Sequence, residues 1–404
     1  MSSAVIDRRQ FWAQTLWLGK TPGAYLRSLI TPWNVLAACI LMVGIPLIVY
    51  RFWAGIGAAT NLDQAYPWGL WIGLDVASGV ALAAGGYTVA AAVYIFGLEQ
   101  YRPIVRPAVL TGFLGYLFVV VGLVADLGRP WNLWVVMVGS HGVTSVLFEV
   151  AWCVALYATV LFLEFSPALF EWLGWKKARA WAMRITLAMV VVGVVLSTLH
   201  QSSLGSLFLM AKGKLHPLWY SPYIPIFFFV SSIAAGLAMV IFESTLSHRV
   251  FHDQFNPRKP VDVDKLTLGL GRAAAIVLFA YTFGRIIGLV DSHAWPMLAS
   301  GWGAWFGVEL LGFVVLPMVL FAWAWRAQKV KVARIAAVIC VLGIMLNRFN
   351  TSFIAYRWEE PRYVPHWMEV MISVTIITLG VLVFRWIVNR MPVLRDDPRY
   401  SQAH

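Results

Sequence analysis

The stretch MVVVGVVLSTLHQSSLGSLFL (189–209) is an apolar run that is interrupted near its centre by polar side chains and then resumes. A run of about 20 apolar residues is long enough to cross the hydrocarbon core of a bilayer as a helix. Similar runs recur along the 404 residues, of which 60% are hydrophobic and 12% charged. Soluble domains carry about 25% charged residues. The composition therefore predicts an all-α integral membrane protein.

The apolar runs also predict the domain organisation. Residues 1–32 are expected to be a cytoplasmic segment in which Phe11 and Trp17 belong to an amphipathic interfacial helix. Residues 33–390 form the membrane domain and residues 391–404 a cytoplasmic tail. Ten transmembrane helices are predicted, at 33–53, 69–98, 106–126, 142–165, 181–200, 222–243, 266–290, 302–325, 332–350 and 367–389.

Basic residues predict the orientation. Most of the 31 Lys and Arg residues fall in the N-terminal segment, in alternate loops after it and in the C-terminal tail. Loops rich in Lys and Arg stay in the cytoplasm under the positive-inside rule. We therefore expect an inner-membrane protein with both termini in the cytoplasm. This bias explains the net charge of +12, which gives no indication of nucleic-acid binding.

Ionisable side chains within the predicted helices are the main functional signal, because they are costly in a membrane and are usually retained for function. Asp75, Glu149 and Glu309 are expected one to two turns below the outer ends of their helices. Asp126 and His200 are expected to close the outer ends of the third and fifth helices. The alternative readings are helix caps and satisfied ion pairs.

A buried arginine also lies in this outer layer. Arg285 needs a counter-charge, which Glu149, Glu309 or Asp291 could supply. Arg285, the carboxylates named above and His200 together predict one group of polar side chains. This group would converge from six or seven helices near the outer surface. A second, smaller group, which includes Glu243, marks the cytoplasmic ends of the helices.

The cofactors expected of the chain are few. The three cysteines, Cys39, Cys153 and Cys340, each lie alone in an apolar run, so no iron–sulfur cluster or structural zinc site is expected. A membrane b-type haem usually needs two histidines on facing helices. His200 has no convincing partner within a helix, which leaves only His141 near the outer surface as a second ligand. We therefore expect no haem and no bound metal.

A quinone site fits the outer polar group. It needs an apolar slot for the tail, donors such as His or Tyr for the ring carbonyls, and carboxylates that transfer protons. His200 and Tyr116 could be the donors, and the electrons would have to come from a partner that carries redox centres. The alternative is a secondary transporter with a polar site near the outer face, for which the short repeat VLFE (146–149) and VIFE (240–243) is the only sign.

Several ordered motifs resemble one family. PWGLWIGLDVASGV (67–80), YRPIVRPAVLTGFLGY (101–116), DLGRPWNLW (126–134) and HQSSLGSLF (200–208) are similar to segments of the NrfD/PsrC family. These proteins are the quinone-interacting membrane subunits of polysulfide reductase and related complexes. The resemblance is greatest to the HybB-type membrane subunits of periplasm-facing nickel–iron hydrogenases.

The resemblance implies a fold and a function. The fold would contain two four-helix bundles, made of the second to fifth and the sixth to ninth helices. The chain would act only within a multi-subunit oxidoreductase, without haem of its own. It would exchange electrons between menaquinone or ubiquinone near the periplasmic face and a ferredoxin-like iron–sulfur subunit. Through that subunit it would connect to the large and small subunits of a nickel–iron hydrogenase, with proton translocation as a further expectation.

The resemblance also implies roles for particular residues. His200 and Tyr116 match residues of the quinone pocket, and Gln201 and Ser202 would shape its mouth. The carboxylates that match proton-handling or acidic residues near the site are Glu149, Glu243, Asp75 and Asp126. Glu309 and Arg285 join the predicted proton path on their depth alone.

Overall fold

The computed structural model describes residues 17–139, 142–254, 261–359 and 362–394. The predicted amphipathic helix over residues 11–17 lies outside these ranges except for Trp17, as does His141. A short helix, α1 (Pro22–Leu29), precedes the membrane region. The long helices are α2 (Pro32–Ala54), α3 (Trp71–Tyr94), α4 (Arg102–Asp126), α5 (Val146–Leu173), α6 (Lys176–Leu209), α7 (Ile224–Val250), α8 (Val263–Asp291), α9 (Gly301–Arg326), α10 (Val330–Ile354) and α11 (Trp367–Val388).

These helices confirm the prediction of an all-α protein that crosses the membrane many times. The ten long helices among the described residues are each long and apolar enough to span a bilayer. The shortest of them, α11, has 22 residues, or about 33 Å at 1.5 Å per residue, which matches a hydrocarbon core of about 30 Å. Large apolar side chains such as Met42, Val195 and Ile287 are exposed on their outer faces, where lipid would cover them.

The helices pack into two bundles. Helices α3–α6 contact one another and form the first bundle, and α7–α10 form the second. The bundles meet where α3 packs against α7 and α10, and where α6 packs against α7. A Cβ atom on Gly236 would lie 2.4 Å from the backbone nitrogen of Gly85, so only glycine allows α3 and α7 this close an approach. Helices α2 and α11 pack against each other beside the first bundle.

Two faces of the molecule are named from this arrangement. An even number of crossings returns the chain to the side where it began, and there the Arg390 guanidinium donates to the Tyr25 hydroxyl at 2.9 Å. We call this side the terminal face and the opposite side the distal face. The distal face carries the described parts of five connections, 55–70, 127–139 with 142–145, 210–223, 292–300 and 355–359 with 362–366.

Helix α6 corrects one expectation. His200 was expected to close the fifth span, but the helix continues to Leu209. The polar side chains do not break it, because the hydroxyls of Ser202 and Ser203 donate to carbonyls of their own helix. Gly205 lies within the helix, where a Cβ atom would be 2.8 Å from Pro225 Cα, so it serves the contact between α6 and α7.

Two of the predicted acidic residues lie in π-helical turns. Helix α3 begins with a π-helical segment, Trp71–Ser78, and α9 contains another, Val308–Val315. Asp75 and Glu309 lie in these segments, where wide turns rotate the side chains relative to a regular helix. Both carboxylates are thereby buried between helices.

Candidate functional site

The predicted polar group near the distal face is divided among three clusters of side chains. The first lies within the first bundle and is called the His200 cluster; its members are Tyr116, Tyr157, Ser197, His200 and Gln201. The second, the Asp75 cluster, lies among α2, α3, α4 and α11 and contains Arg51, Asp75, Asp126, Glu369 and Ser373. The third, the Glu309 cluster, lies in the second bundle and contains Trp219, Arg285, Glu309, Asn347, Arg348 and Asn350. The expectation of a single convergent group, which was based on depth alone, is therefore wrong.

The His200 cluster is built from aromatic rings and an imidazole that are fully buried. The ring of Tyr116 lies 5.7 Å from that of His200 and 4.6 Å from that of Tyr157, measured between centroids. Helix α4 supplies Tyr116, α5 supplies Tyr157 and α6 supplies His200. Gly193 of α6 lets α5 approach, because a Cβ atom there would lie 3.0 Å from Glu164 Oε1 and 3.3 Å from Val160 Cγ1.

Polar atoms in this cluster lack partners. Both ring nitrogens of His200 are buried without a hydrogen bond to any described residue, and the hydroxyls of Tyr116, Tyr157 and Ser197 lie near one another but make no hydrogen bond of normal geometry. Gln201 Nε2 donates to the Val80 carbonyl at 3.0 Å, which leaves Gln201 Oε1 unpartnered. Buried polar groups nearly always have a partner in a native protein. These atoms are therefore available to a ligand or to water.

The remaining residues predicted around His200 have different surroundings. Ser202 is half-buried, and its hydroxyl donates to the Thr198 and Leu199 carbonyls at 2.8 and 2.9 Å. Glu149 lies in the first turn of α5, because that helix begins at Val146 rather than at 142. Its side chain is half-buried and makes no hydrogen bond to a described residue.

Two carboxylates lie farther toward the terminal face. Glu243 Oε2 accepts a hydrogen bond from the Thr111 hydroxyl at 2.8 Å, while its Oε1 is buried and unpartnered. Glu164 lies two helical turns beyond Tyr157 on the same side of α5, and its Oε2 is also unpartnered. Both carboxylates thus have one oxygen available to a proton or to water.

The Asp75 cluster contains two residues that were not predicted from the sequence, Glu369 and Arg51. The Ser373 hydroxyl donates to Asp75 Oδ2 at 2.6 Å. Glu369 is fully buried and accepts hydrogen bonds from the Tyr363 hydroxyl and from the backbone N–H of Asn61 at 3.0 Å. Arg51, also buried, donates to the Ala125 carbonyl at 2.6 Å and lies close enough to interact with Asp126.

The sequence around Glu369 and Arg51 contained a pattern for each residue, but each pattern also had a simpler explanation. Glu369 occupies the third position of α11 and returns a hydrogen bond to the backbone N–H of His366 at 2.9 Å, in a capping box. Arg51 stands at the end of the first apolar run, where a sequence alone indicates a residue of the aqueous loop. Only the packing of α2 against α4 buries it.

The Glu309 cluster supplies the counter-charge that Arg285 needs. Arg285 Nη2 lies 3.8 Å from Glu309 Oε1, so Glu309 is the partner among the three predicted alternatives. Glu309 also accepts hydrogen bonds from the indole N–H of Trp219 at 2.6 Å and from Asn347 Nδ2 at 2.7 Å. Asn350 Nδ2 donates to the same oxygen as Trp219. The carboxylate is therefore saturated with donors.

Arg348 completes this cluster; it lies near the outer end of the predicted span 332–350 and was not among the predicted site residues. It is fully buried, and its guanidinium donates to the Ser231 hydroxyl at 2.8 Å and to Asn347 Oδ1 at 2.7 Å. Its carbon Cζ lies 3.7 Å from the centroid of the Phe228 ring. The run Leu-Asn-Arg-Phe-Asn (346–350) places polar side chains inside an apolar pattern. This interruption was the feature of the sequence that could have indicated a buried polar cluster.

His216 lies above the Glu309 cluster at the distal face. Its ring is surrounded by those of Trp219, Trp302 and Trp358, with centroids 5.6, 5.2 and 4.8 Å away. Its Nδ1 accepts a hydrogen bond from the backbone N–H of Leu218 at 3.2 Å. Burial among these rings lowers the pKa of His216 to about 4, because the imidazolium would lose its hydration there.

Comparison with known proteins identifies the family of this chain. The family model described as "Polysulphide reductase, NrfD" matches residues 58–356, which cover both bundles. The chain belongs to this family. The resemblance seen in the sequence motifs is thereby confirmed.

Three relatives extend the match over almost the whole NrfD protein. One from Nitratidesulfovibrio vulgaris (strain Hildenborough), named only "Protein", is 51% identical over 381 residues, 94% of this chain and 98% of the relative. The "Probable Ni/Fe-hydrogenase 2 b-type cytochrome subunit" of Escherichia coli (strain K12) is 33% identical over 358 residues, 88% and 90% of the two chains. The "Menaquinone reductase, integral membrane subunit" of N. vulgaris is 27% identical over 390 residues, 87% and 89% of the two chains.

One of these names overturns an expectation. The E. coli relative is called a b-type cytochrome subunit, which is a term for a haem protein, so the prediction that this NrfD chain carries no haem is wrong. His200 has two unpartnered ring nitrogens and could serve as one axial ligand. The other histidine within a long helix of the described ranges, His248, lies at the terminal end of α7. These two histidines lie toward opposite faces of the membrane, so they cannot bind the same iron.

Proposed function

We propose that this NrfD protein is the quinone-reactive membrane subunit of an oxidoreductase complex, and that quinone binds at the His200 cluster. The observation that carries the proposal is a fully buried His200 whose two ring nitrogens have no partner, beside a Tyr116 hydroxyl that has none. The names of two relatives, a menaquinone reductase membrane subunit and a hydrogenase cytochrome subunit, support the same class of reaction.

The chemistry of the cluster suits both forms of a quinone. The carbonyl oxygens of the oxidised ring accept hydrogen bonds, which the His200 imidazole and the Tyr116 hydroxyl can donate. The reduced ring carries hydroxyls that donate, and Gln201 Oε1 or the second nitrogen of His200 can accept them. A neutral imidazole offers one donor and one acceptor, so His200 can pair with the substrate before and after reduction.

The reduction of a quinone to a quinol takes two electrons and two protons. We propose that an iron–sulfur subunit, ferredoxin-like and docked on the distal face, supplies the electrons, and that a nickel–iron hydrogenase is the enzyme behind it. The basic residues around the terminal face support a cytoplasmic location for that face and a periplasmic one for the distal face. The membrane would then be the inner membrane.

The protons would reach the site through carboxylates. Glu243 and Glu164 each have an unpartnered oxygen, and Tyr157 lies between Glu164 and Tyr116 along the first bundle. Glu149 could exchange protons with the distal side, with Asp75 and Asp126 as acidic groups nearby. The proton-path role of Glu309 and Arg285 stays a prediction, since donors already saturate the Glu309 carboxylate.

The test compares two neighbouring substitutions in the purified complex. His200→Ala removes both unpartnered nitrogens, whereas Ser202→Ala removes a hydroxyl that is already bonded within its own helix. Quinone extracted from each sample is quantified by chromatography, and the same sample gives a reduced-minus-oxidised absorption spectrum that reports any haem. We expect the Ser202→Ala protein to keep its quinone and the His200→Ala protein to lose it. Equal quinone content in both variants would refute the site.

A further inference from the structure

We propose that this protein has a second ligand site, a cleft at the distal end of the second bundle that binds one small monovalent anion, such as chloride, at Arg285. The cleft lies between α8 and the connection 210–223. Arg285, Gly288 and Ser292 line it on the helix side, and Trp219 and Ser221 line it on the other. This site is separate from the His200 cluster, which lies in the first bundle.

The open polar groups in the cleft are donors. Arg285 is 6% exposed, and its Nη2 has no hydrogen-bond partner among the described residues. Ser221 Oγ accepts a hydrogen bond from the backbone N–H of Tyr223 at 3.2 Å, and no described residue accepts its hydroxyl proton. The Ser292 hydroxyl is engaged, since it donates to the Gly288 carbonyl at 2.6 Å. A ligand that accepts hydrogen bonds would therefore find a donor on each wall of the cleft.

The charge of the surroundings favours an anion over a neutral acceptor. Two guanidinium groups, Arg285 and Arg348, are buried with a single carboxylate, Glu309. At 3.8 Å the contact between Arg285 and Glu309 is longer than a hydrogen bond. Asp291, at the end of α8, is exposed. A buried charge without a counter-charge is strongly unfavourable, and one monovalent anion would neutralise the cluster.

The shape of the cleft limits the size of the anion. A Cβ atom on Gly288 would lie 2.8 Å from Ser221 Oγ and 3.0 Å from Phe227 Cζ. Glycine at this position therefore keeps open the space between the hydroxyl and the ring. The cleft has room for about one small monatomic ion, so a tetrahedral oxyanion such as sulfate would be too large.

The test measures thermal unfolding of the purified full-length protein as chloride replaces gluconate at constant ionic strength. Wild type should show a saturable rise in the unfolding midpoint of roughly 2–4 °C, because a ligand that binds only the folded state stabilises it. Sulfate at the same ionic strength should give no such rise. Bromide should reproduce the rise, and its anomalous X-ray scattering in crystals should appear beside Arg285.

Variants separate this site from a general salt effect. Gly288→Ala fills the cleft without changing its charge and should abolish the chloride response, as should Arg285→Gln. Ser221→Ala keeps the cation and should raise the half-saturating chloride concentration about tenfold. The control is Arg272→Gln, since Arg272 stacks on Trp325, 4.4 Å from its ring centroid, away from the cleft. A chloride response that is absent in wild type, or unchanged in Gly288→Ala, overturns the proposal.

Discussion

The substitution Glu309→Gln should destabilise this protein far more than the same change at Glu243. A glutamine at 309 can keep its carbonyl oxygen toward Trp219 and Asn350, but its NH₂ group then faces Asn347 Nδ2, which donates to Glu309 Oε1 at 2.7 Å in the native protein. Two donors cannot bond each other, and the loss of such a buried bond costs about 1–3 kcal/mol. The loss of charge also leaves Arg285 without its partner, and breaking a buried ion pair costs about 3–5 kcal/mol.

The two effects overlap, because the same carboxylate is removed once, so we expect a total of about 3–5 kcal/mol. Glu243 accepts one hydrogen bond, from the Thr111 hydroxyl, and its other oxygen is free. A glutamine there can turn its carbonyl toward Thr111, so the change should stay within about 1 kcal/mol. The pair therefore compares one chemical change in two buried environments.

The assay is the thermal unfolding midpoint of each purified variant in the same detergent, followed by tryptophan fluorescence. Glu309→Gln should lower the midpoint by roughly 3–6 °C and Glu243→Gln by no more than about 1 °C. Equal shifts for the two variants would show that the donors around Glu309 do not stabilise the fold, and would refute the assignment of a saturated carboxylate. Quinone content measured on the same samples separates a loss of stability from a loss of the first-bundle site.

Three further outcomes are expected. Burial lowers the pKa of His216 to about 4, whereas the pKa in the unfolded chain is about 6.5. As the pH falls, the unfolded chain therefore takes up a proton at His216 at a higher pH than the folded protein does. Stability should fall as the pH drops from 6.5 to 4, and an unfolding series of His216→Gln should lose this dependence. Gly236→Ala should separate α3 from α7 and lower the yield of folded protein, whereas Gly307→Ala, with nothing within 4 Å of its Cβ position, should not. Tyr116→Phe should weaken the binding of menadione, measured by fluorescence quenching, about fivefold to tenfold; an affinity equal to that of Ser202→Ala would contradict its role as a donor.

The positions of the helices could be read from the sequence. Predicted spans such as 302–325 and 367–389 agree closely with Gly301–Arg326 and Trp367–Val388. The reason is that a long apolar segment in lipid has only one way to satisfy its backbone hydrogen bonds by itself, which is a helix. Hydropathy summed along the chain is therefore sufficient to find it.

The ends of the helices were less predictable where polar residues occur. The fifth span was predicted to end at His200, yet α6 continues to Leu209. Hydropathy counts a serine as polar whether or not its hydroxyl is bonded, and the hydroxyl of Ser203 bonds to the Leu199 carbonyl of the same helix at 2.7 Å. A side chain satisfied in this way does not end a membrane helix.

The partners of the buried polar groups were decided by the tertiary structure alone. From the sequence alone, Arg285 needed a carboxylate and had three candidates, and the packing of α8 against α9 selected Glu309 among them. The packing of α10 against α7 likewise buried Arg348 beside Phe228 and Ser231. Depth in the membrane follows from position along the chain, but the direction in which a side chain points depends on the rotation of each helix. That rotation is set by close contacts between helices distant in sequence, such as the one between Gly85 and Gly236.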